Sequence, residues 1–281
     1  MTATDPAQLD NQPQPLDTFR QDRIYLGANH RRNEQRTWIV TAICAAALVA
    51  QLAGGVVFKS MALTAAGLHM AAHVAVLLVA VAAYRVARRY ATDPRFAFGT
   101  GKVGDLAGFA NAVVLAITAI FIGAESIERI FHPEGVHYHG ATPLAAAGLA
   151  VTVLCVVLLK PHHSDRGQDL NISAAHLHLT ADAMIGVLAI AGLAAGEFLG
   201  WAWADPAAGL AGAFLVAQFA VSLGRKAAAA LLDMNPSPEL NAEIRARLGA
   251  EGETVADLHF WRLGPGHHAA LAVGSADHPQ G

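Results

Sequence analysis

Six stretches of this chain are each long and apolar enough to cross a hydrocarbon layer, and no other feature narrows its fold so far. They run from about 38 to 58, 61 to 84, 104 to 131, 141 to 160, 171 to 198 and 206 to 232. A helix needs about 20 apolar residues to cross a bilayer core, where every backbone polar group must find its partner within the protein. Hydrophobic residues make up 54% of the chain and charged residues only 15%, a balance far from that of an ordinary soluble domain. The expected fold is an all-α membrane protein with six transmembrane helices. A formal net charge of −3 gives no footing for nucleic-acid binding.

The basic residues fix the orientation. Arg20, Arg23, Arg31, Arg32 and Arg36 precede the first run, and Arg85, Arg88, Arg89, Arg95 and Lys102 separate the second from the third. Lys160 and Arg166 lie between the fourth and fifth, and Arg225 and Lys226 near the end of the sixth, whereas the alternate loops carry chiefly Lys59 and Arg129. The positive-inside rule then places both termini in the cytoplasm. Residues 1–37 are expected to be a cytoplasmic segment, 38–232 a six-helix transport domain and 233–281 a short cytoplasmic tail. No short apolar core with a small-residue cleavage site precedes the first run, so no cleaved signal peptide is expected.

In the tail, SPELNAEIRARLG reads as an amphipathic helix opened by Ser237 or Pro238 and stopped by Gly249. TVADLHFWRLG and HHAALAV read as two short strands around a turn at Gly264 to Gly266. So few residues make a poor independent core, and this α/β tail is expected to lean on a partner copy or on the membrane domain.

Polar residues interrupt three of the runs: His69 and His73 in the second, Asp105, Asn111 and Glu125 in the third, His178 and Asp182 in the fifth. These three helices are expected to face the bundle interior. A gap of four residues puts both members of His69/His73, and of His178/Asp182, on one helix face, close enough to hold one ion. Imidazole and carboxylate are costly in hydrocarbon, so two such pairs mark a functional site with each other as partners. A lone histidine here would as readily be a structural group satisfied by backbone or water. His176 lies about 200° round the helix from His178 and is expected to face elsewhere. Imidazole suits divalent cobalt, nickel, copper, zinc and iron, whereas magnesium and calcium prefer oxygen shells. Cys44 and Cys155 sit in apolar runs without metal-ligand spacing and read as packing thiols, not a disulfide.

At these residues the chain resembles the cation diffusion facilitator family. SMALTAAGLHMAAH matches the family's second-span pattern and HLHLTADAMIGVLAI the fifth. The His-x-x-x-His variant of the second span, FRQDRIYLGANHRRNEQRTW, FGTGKVGDLAGFANAV and WAWADPAAGL together resemble the DmeF-type cobalt and nickel exporters within it. The resemblance implies a secondary exporter of cobalt, nickel or zinc ions in a bacterial inner membrane, exchanging cargo for protons by alternating access. It implies no enzyme activity and no permanent cofactor. Its partners are metal ions, protons, the bilayer and a second copy of the chain. Two departures stand out. KPHHSDRGQD is shorter than the His-rich loop common in the family, leaving His162 and His163, and the tail stops after what reads as its second strand.

Other polar residues have two readings each. Asp105 either receives ions or pairs with Lys102, the latter preferred; Glu125 and Glu128 line an exit or face the interface; His137 and His139 hold water or metal. Asp205 with Pro206 is expected to start the sixth helix. Two other functions compete with export. One is a bis-His haem protein, disfavoured because axial ligands approach haem from opposite sides. The other is a non-transporting metal sensor or scaffold acting through the tail.

Overall fold

A computed structural model describes residues 24–57, 61–132, 138–161, 169–201, 203–250 and 253–276. Within the helices, the side chains at 54, 55, 61–69, 72, 138–142 and 144 are outside that description. Six long helices follow one another: α1 (His30–Val57), α2 (Met61–Arg89), α3 (Val103–Phe131), α4 (Tyr138–Leu159), α5 (Leu170–Leu199) and α6 (Ala204–Leu231). The tail adds α7 (Pro238–Ala250), β1 (Glu253–Gly264) and β2 (His267–Ala276). Among the described residues, α3, α5, α6 and His30–Ala53 of α1 are long and apolar enough to cross a membrane, and Ala145–Leu159 of α4 is a shorter apolar helix.

The helix ends follow local chemistry. Asp169 caps α5, its Oδ1 accepting from the backbone N–H groups of Asn171 (3.1 Å) and Ile172 (3.3 Å). Gly200 closes the same helix at φ 69°, a left-handed conformation that glycine adopts without strain. Pro206 falls in the first turn of α6, where its missing N–H leaves no bond unmade, although the helix begins earlier, at Ala204. In the tail, Ser237 accepts from the Leu240 N–H (3.2 Å) and is the cap, with Pro238 the first helical residue. Gly249 does not stop α7, which runs on to Ala250.

α1 starts well before the apolar run that announces it. HRRNEQR is polar yet helical because its inner face is answered: Glu34 is buried against Arg88 (2.7 and 3.3 Å), and Asn33 donates to Asp169 (3.1 Å). Hydropathy sees only the charge of these residues.

Two apolar clusters share α5. Val40 and Cys44 of α1, Leu77 and Tyr84 of α2, Leu159 of α4, and Ile172 and Leu179 of α5 form one. Ala112, Leu115 and Ala119 of α3 meet Ala174 and Ala181 of α5 and Val216, Ala220 and Leu223 of α6 in the other. α3 turns its polar residues inward, as expected, but only on one side. Asp105 and Asn111 face inward, but Ile117, Ile120, Phe121 and Phe131 form a broad exposed apolar face. Cys44 and Cys155 are free buried thiols with their Sγ atoms 3.7 Å apart, an adjacency that no spacing in the sequence could reveal.

The tail's strands pair antiparallel, with Leu258 opposite Ala272 and Phe260 opposite Ala270, and with irregular register at Val255/Asp257 and Arg262/Gly264. α7 buries no residue. The hairpin leans on the membrane domain, its tip reaching Tyr25, Gly27 and Gly101.

At Gly192 the two helices α5 and α6 come close enough that a Cβ would lie 2.9 Å from the Asp205 Cα and 3.1 Å from the Ala204 carbonyl oxygen. Gly192→Val forces this contact apart. It is expected to cost about 1 to 3 kcal/mol, read as a lowered thermal midpoint of the purified protein; an unchanged midpoint would refute the close packing.

Candidate metal centre

The turns that carry His73, His178 and Asp182 lie within the bundle because α2 and α5 each carry their polar residues at helical spacing within buried faces. His73 on α2 and His178 and Asp182 on α5 are all buried, at 2%, 3% and 9% exposure. The Asp182 Oδ2 atom lies 3.2 Å from His73 Nδ1 and 3.4 Å from His178 Nε2. The two imidazole rings stand nearly at right angles, 81° apart, with centroids 5.6 Å from each other. One ligand atom from each of the three residues falls within 4.8 Å of the others. Asp182 Oδ2 is buried and has no hydrogen-bond partner among the described residues. The arrangement is two ring nitrogens and a carboxylate oxygen turned toward a common point.

The sequence named four residues. The structure brings three together; the side chain of His69, one turn before His73 on α2, lies outside the described residues. His176, half-buried, is not part of the cluster.

Three bonds fix α2 and α1 against the cytoplasmic end of α5, two from α2 and one from α1. Asn171 donates to the Ala80 carbonyl (2.8 Å), the Tyr84 hydroxyl donates to Asp169 Oδ2 (2.7 Å), and Asn33 donates to the same oxygen (3.1 Å). Sequence reasoning missed these positioning residues. Asp169 before an apolar run is a readable cap signal, but partners 85 and 136 positions away are not.

Asp105 does not pair with Lys102. Its Oδ1 accepts from Arg262 of β1 at 3.0 Å, and Lys102 bonds to Asp233 instead, because Lys102 precedes the first turn of α3 and points to the end of α6. At the outer end Glu125 is exposed and paired with Arg129 (2.6 Å), which also approaches Asp205 (3.5 Å). Glu128 is exposed. His137, His162, His163 and the side chain of His139 lie outside the described residues. Outside the membrane, the bonds from Arg95 hold Asp93 below the usual carboxylate range. Burial, then the charges of Arg262 and His267, push His268 down.

Residues 37–232 match the family described as the cation efflux transmembrane domain. The chain is 31% identical over 256 residues to the metal cation efflux system protein CzcD of Cupriavidus metallidurans, covering 88% of this chain and 79% of that protein. It is 32% identical over 235 residues to the zinc transporter ZitB of Escherichia coli, covering 83% and 74%. Over 248 residues it is 29% identical to the cadmium, cobalt and zinc/H(+)-K(+) antiporter of Bacillus subtilis, covering 87% and 79%. The chain belongs to the cation efflux family, the cation diffusion facilitators. It is thus a multi-pass integral membrane protein of a family of transporters and not of enzymes. Neither the haem nor the sensor reading gains support from these relatives.

Because Asp169 both caps α5 and receives two distant donors, Asp169→Ala removes an N-cap worth about 0.5 to 2 kcal/mol and strands Tyr84 and Asn33. A fall in thermal midpoint is expected, larger than that of Tyr84→Phe. Equal effects would show that the cap contributes nothing.

Proposed function

We propose that the chain exports divalent cobalt, nickel or zinc ions from the cytoplasm in exchange for protons, with His69, His73, His178 and Asp182 as its transport site. The observation that carries this reading is the convergence of His73, His178 and Asp182 within 4.8 Å inside the bundle. Three polar groups are costly in hydrocarbon, and a cation shared among them offsets the cost. His69, one turn from His73, supplies the fourth ligand of a tetrahedral shell, which zinc and high-spin cobalt accept. Zinc appears in the name of the Escherichia relative, and cobalt and zinc in that of the Bacillus antiporter. Nickel, and a DmeF-type preference, rest on the His-x-x-x-His pair and the three segments that share the resemblance, and nitrogen ligands favour nickel over magnesium or calcium.

Metal and protons compete for the same imidazoles and carboxylate, so deprotonation on the cytoplasmic side loads the site and protonation from outside empties it. Alternating access around a site deep in the bundle follows the general plan of secondary transporters. A second copy of the chain completes the working unit, with the exposed apolar face of α3 available to lipid or partner.

Three measurements test this reading. Asp182→Ala is expected to weaken cobalt and zinc binding by at least about 100-fold, more than the loss of an outer-shell partner, in equilibrium binding to the purified protein; His73→Asp is expected to move the cargo ranking from cobalt and nickel toward zinc in competition flux. Unchanged affinity in the first, or an unchanged ranking in the second, would remove those residues from the site. Initial cobalt flux into inside-out vesicles is expected to fall as the pH on the loading side drops through the imidazole range. The sign follows from mass action: as pH falls protons compete for the ligands, and as it rises they are freed for metal. A flat profile across the histidine range would eliminate imidazole deprotonation from loading.

A further inference from the structure

The tip of the tail hairpin sits at the cytoplasmic ends of the two helices that carry His73, His178 and Asp182. Gly264, Pro265 and Gly266 form a tight turn in which Gly266 takes φ 73°, as the third residue of a type II turn requires. This turn is wedged between the segment leading into α1 and the loop leading into α3. A Cβ on Gly264 would lie 2.6 Å from the Tyr25 carbonyl oxygen and 2.9 Å from the Gly101 Cα, and one on Gly27 would meet the Pro265 ring at 3.1 Å. A Cβ on Gly101 would collide with the Leu263 carbonyl. Backbone meets backbone here, a fit available only to glycine.

Beneath the turn, Tyr25, Tyr84, Gly101, Asp169 and Pro265 line a cavity of about 20 Å³, room for roughly one water. Tyr84 stands 11 positions from His73 along α2, and Asp169 stands 9 from His178 along α5. At 1.5 Å per residue the cavity lies about 13 to 16 Å to the cytoplasmic side of the ligands, on the same two helices. One ion pair holds the turn down. Arg262 donates to Asp105 Oδ1 at 3.0 Å, and Asp105 is 1% exposed while its Oδ2 has no hydrogen-bond partner among the described residues. A buried carboxylate with spare acceptor capacity makes a strong but breakable seat for a guanidinium, since a divalent cation can take that place.

We propose that the hairpin tip is a lid over the cytoplasmic entrance, held shut by Arg262 on Asp105, and that an arriving divalent cation opens it by replacing the guanidinium at that carboxylate. The inference rests on cytoplasmic loading of the ligand cluster. A lid of this kind lowers apparent cargo affinity, because only the open fraction of molecules binds. Loosening it therefore raises apparent affinity without touching a ligand.

Two variants loosen it by unrelated means. Arg262→Gln removes the charge, and Gly101→Ala adds a methyl group that the Leu263 carbonyl must vacate; Gly101 itself is not at a positive φ, so alanine brings no backbone strain of its own. In full-length protein in proteoliposomes both should lower the half-saturating zinc concentration on the cytoplasmic side by about 5-fold or more, the lower end of typical coupling between sites. Both should also speed amide exchange at 262–267 and 25–27 by a similar factor. If Arg262→Gln does not fold, Gly101→Ala decides alone. Unchanged or raised half-saturation, or unchanged exchange, overturns the lid. Absence of zinc flux in the unmodified protein would instead sink the transport reading, while the exchange measurement, repeated with and without zinc, still decides whether the tip opens.

Discussion

A carboxylate at the centre of an apolar bundle must be answered by its neighbours, and the answer given to Asp182 organises this protein. His73 and His178 approach one of its oxygens at 3.2 and 3.4 Å. For those two imidazoles to arrive together, α2 and α5 must hold a fixed register over many turns. Asn171 on Ala80 and Tyr84 on Asp169 set that register from the cytoplasmic end, where these groups are buried, the second bond being charge-assisted. Removing any one ligand leaves polar groups in hydrocarbon without each other.

The polar ends of the helices contribute more than orientation. Arg88, read from the sequence as one of the charges that keep a loop in the cytoplasm, is also the partner of buried Glu34. Arg262, which the sequence leaves as a strand residue in the tail, answers buried Asp105 of α3. A charge that orients the chain thus also joins α1 to α2, and a charge of the tail ties it to α3.

Much of this was legible beforehand, and the reason is periodicity. Six apolar runs announce six helices, and residues four apart on one helix must share a face, so the pairing within His178/Asp182 follows from spacing alone. That α2 would bring His73 to them rested on the cost of isolated polar groups and on family resemblance, and the geometry agrees for the described side chains. Contacts between distant segments were not legible. Asp105 lies 157 positions from Arg262, and a local partner such as Lys102 is the natural reading until the end of α6 is seen to claim it. The early start of α1 was hidden for a related reason, because hydropathy cannot tell a charged residue in water from one buried against its opposite. The exposed face of α3 shows the converse: polar residues on one side of a helix do not make the whole helix internal.

The two apolar clusters differ in texture. Around α1, α2, α4 and α5 the meeting surfaces carry Leu77, Tyr84, Leu159, Ile172 and Leu179, whose branched and aromatic side chains interlock. Between α3, α5 and α6 the surfaces are largely alanine methyls, from Ala112 and Ala119 through Ala174 and Ala181 to Ala220. A surface of knobs resists shear, because each side chain would have to leave its hole, while a surface of methyls presents a shallow corrugation that a neighbour crosses at small cost. The half of the protein that carries His73 and its neighbours is accordingly the harder to shear, and the α3–α6 pair meets it across a smoother seam.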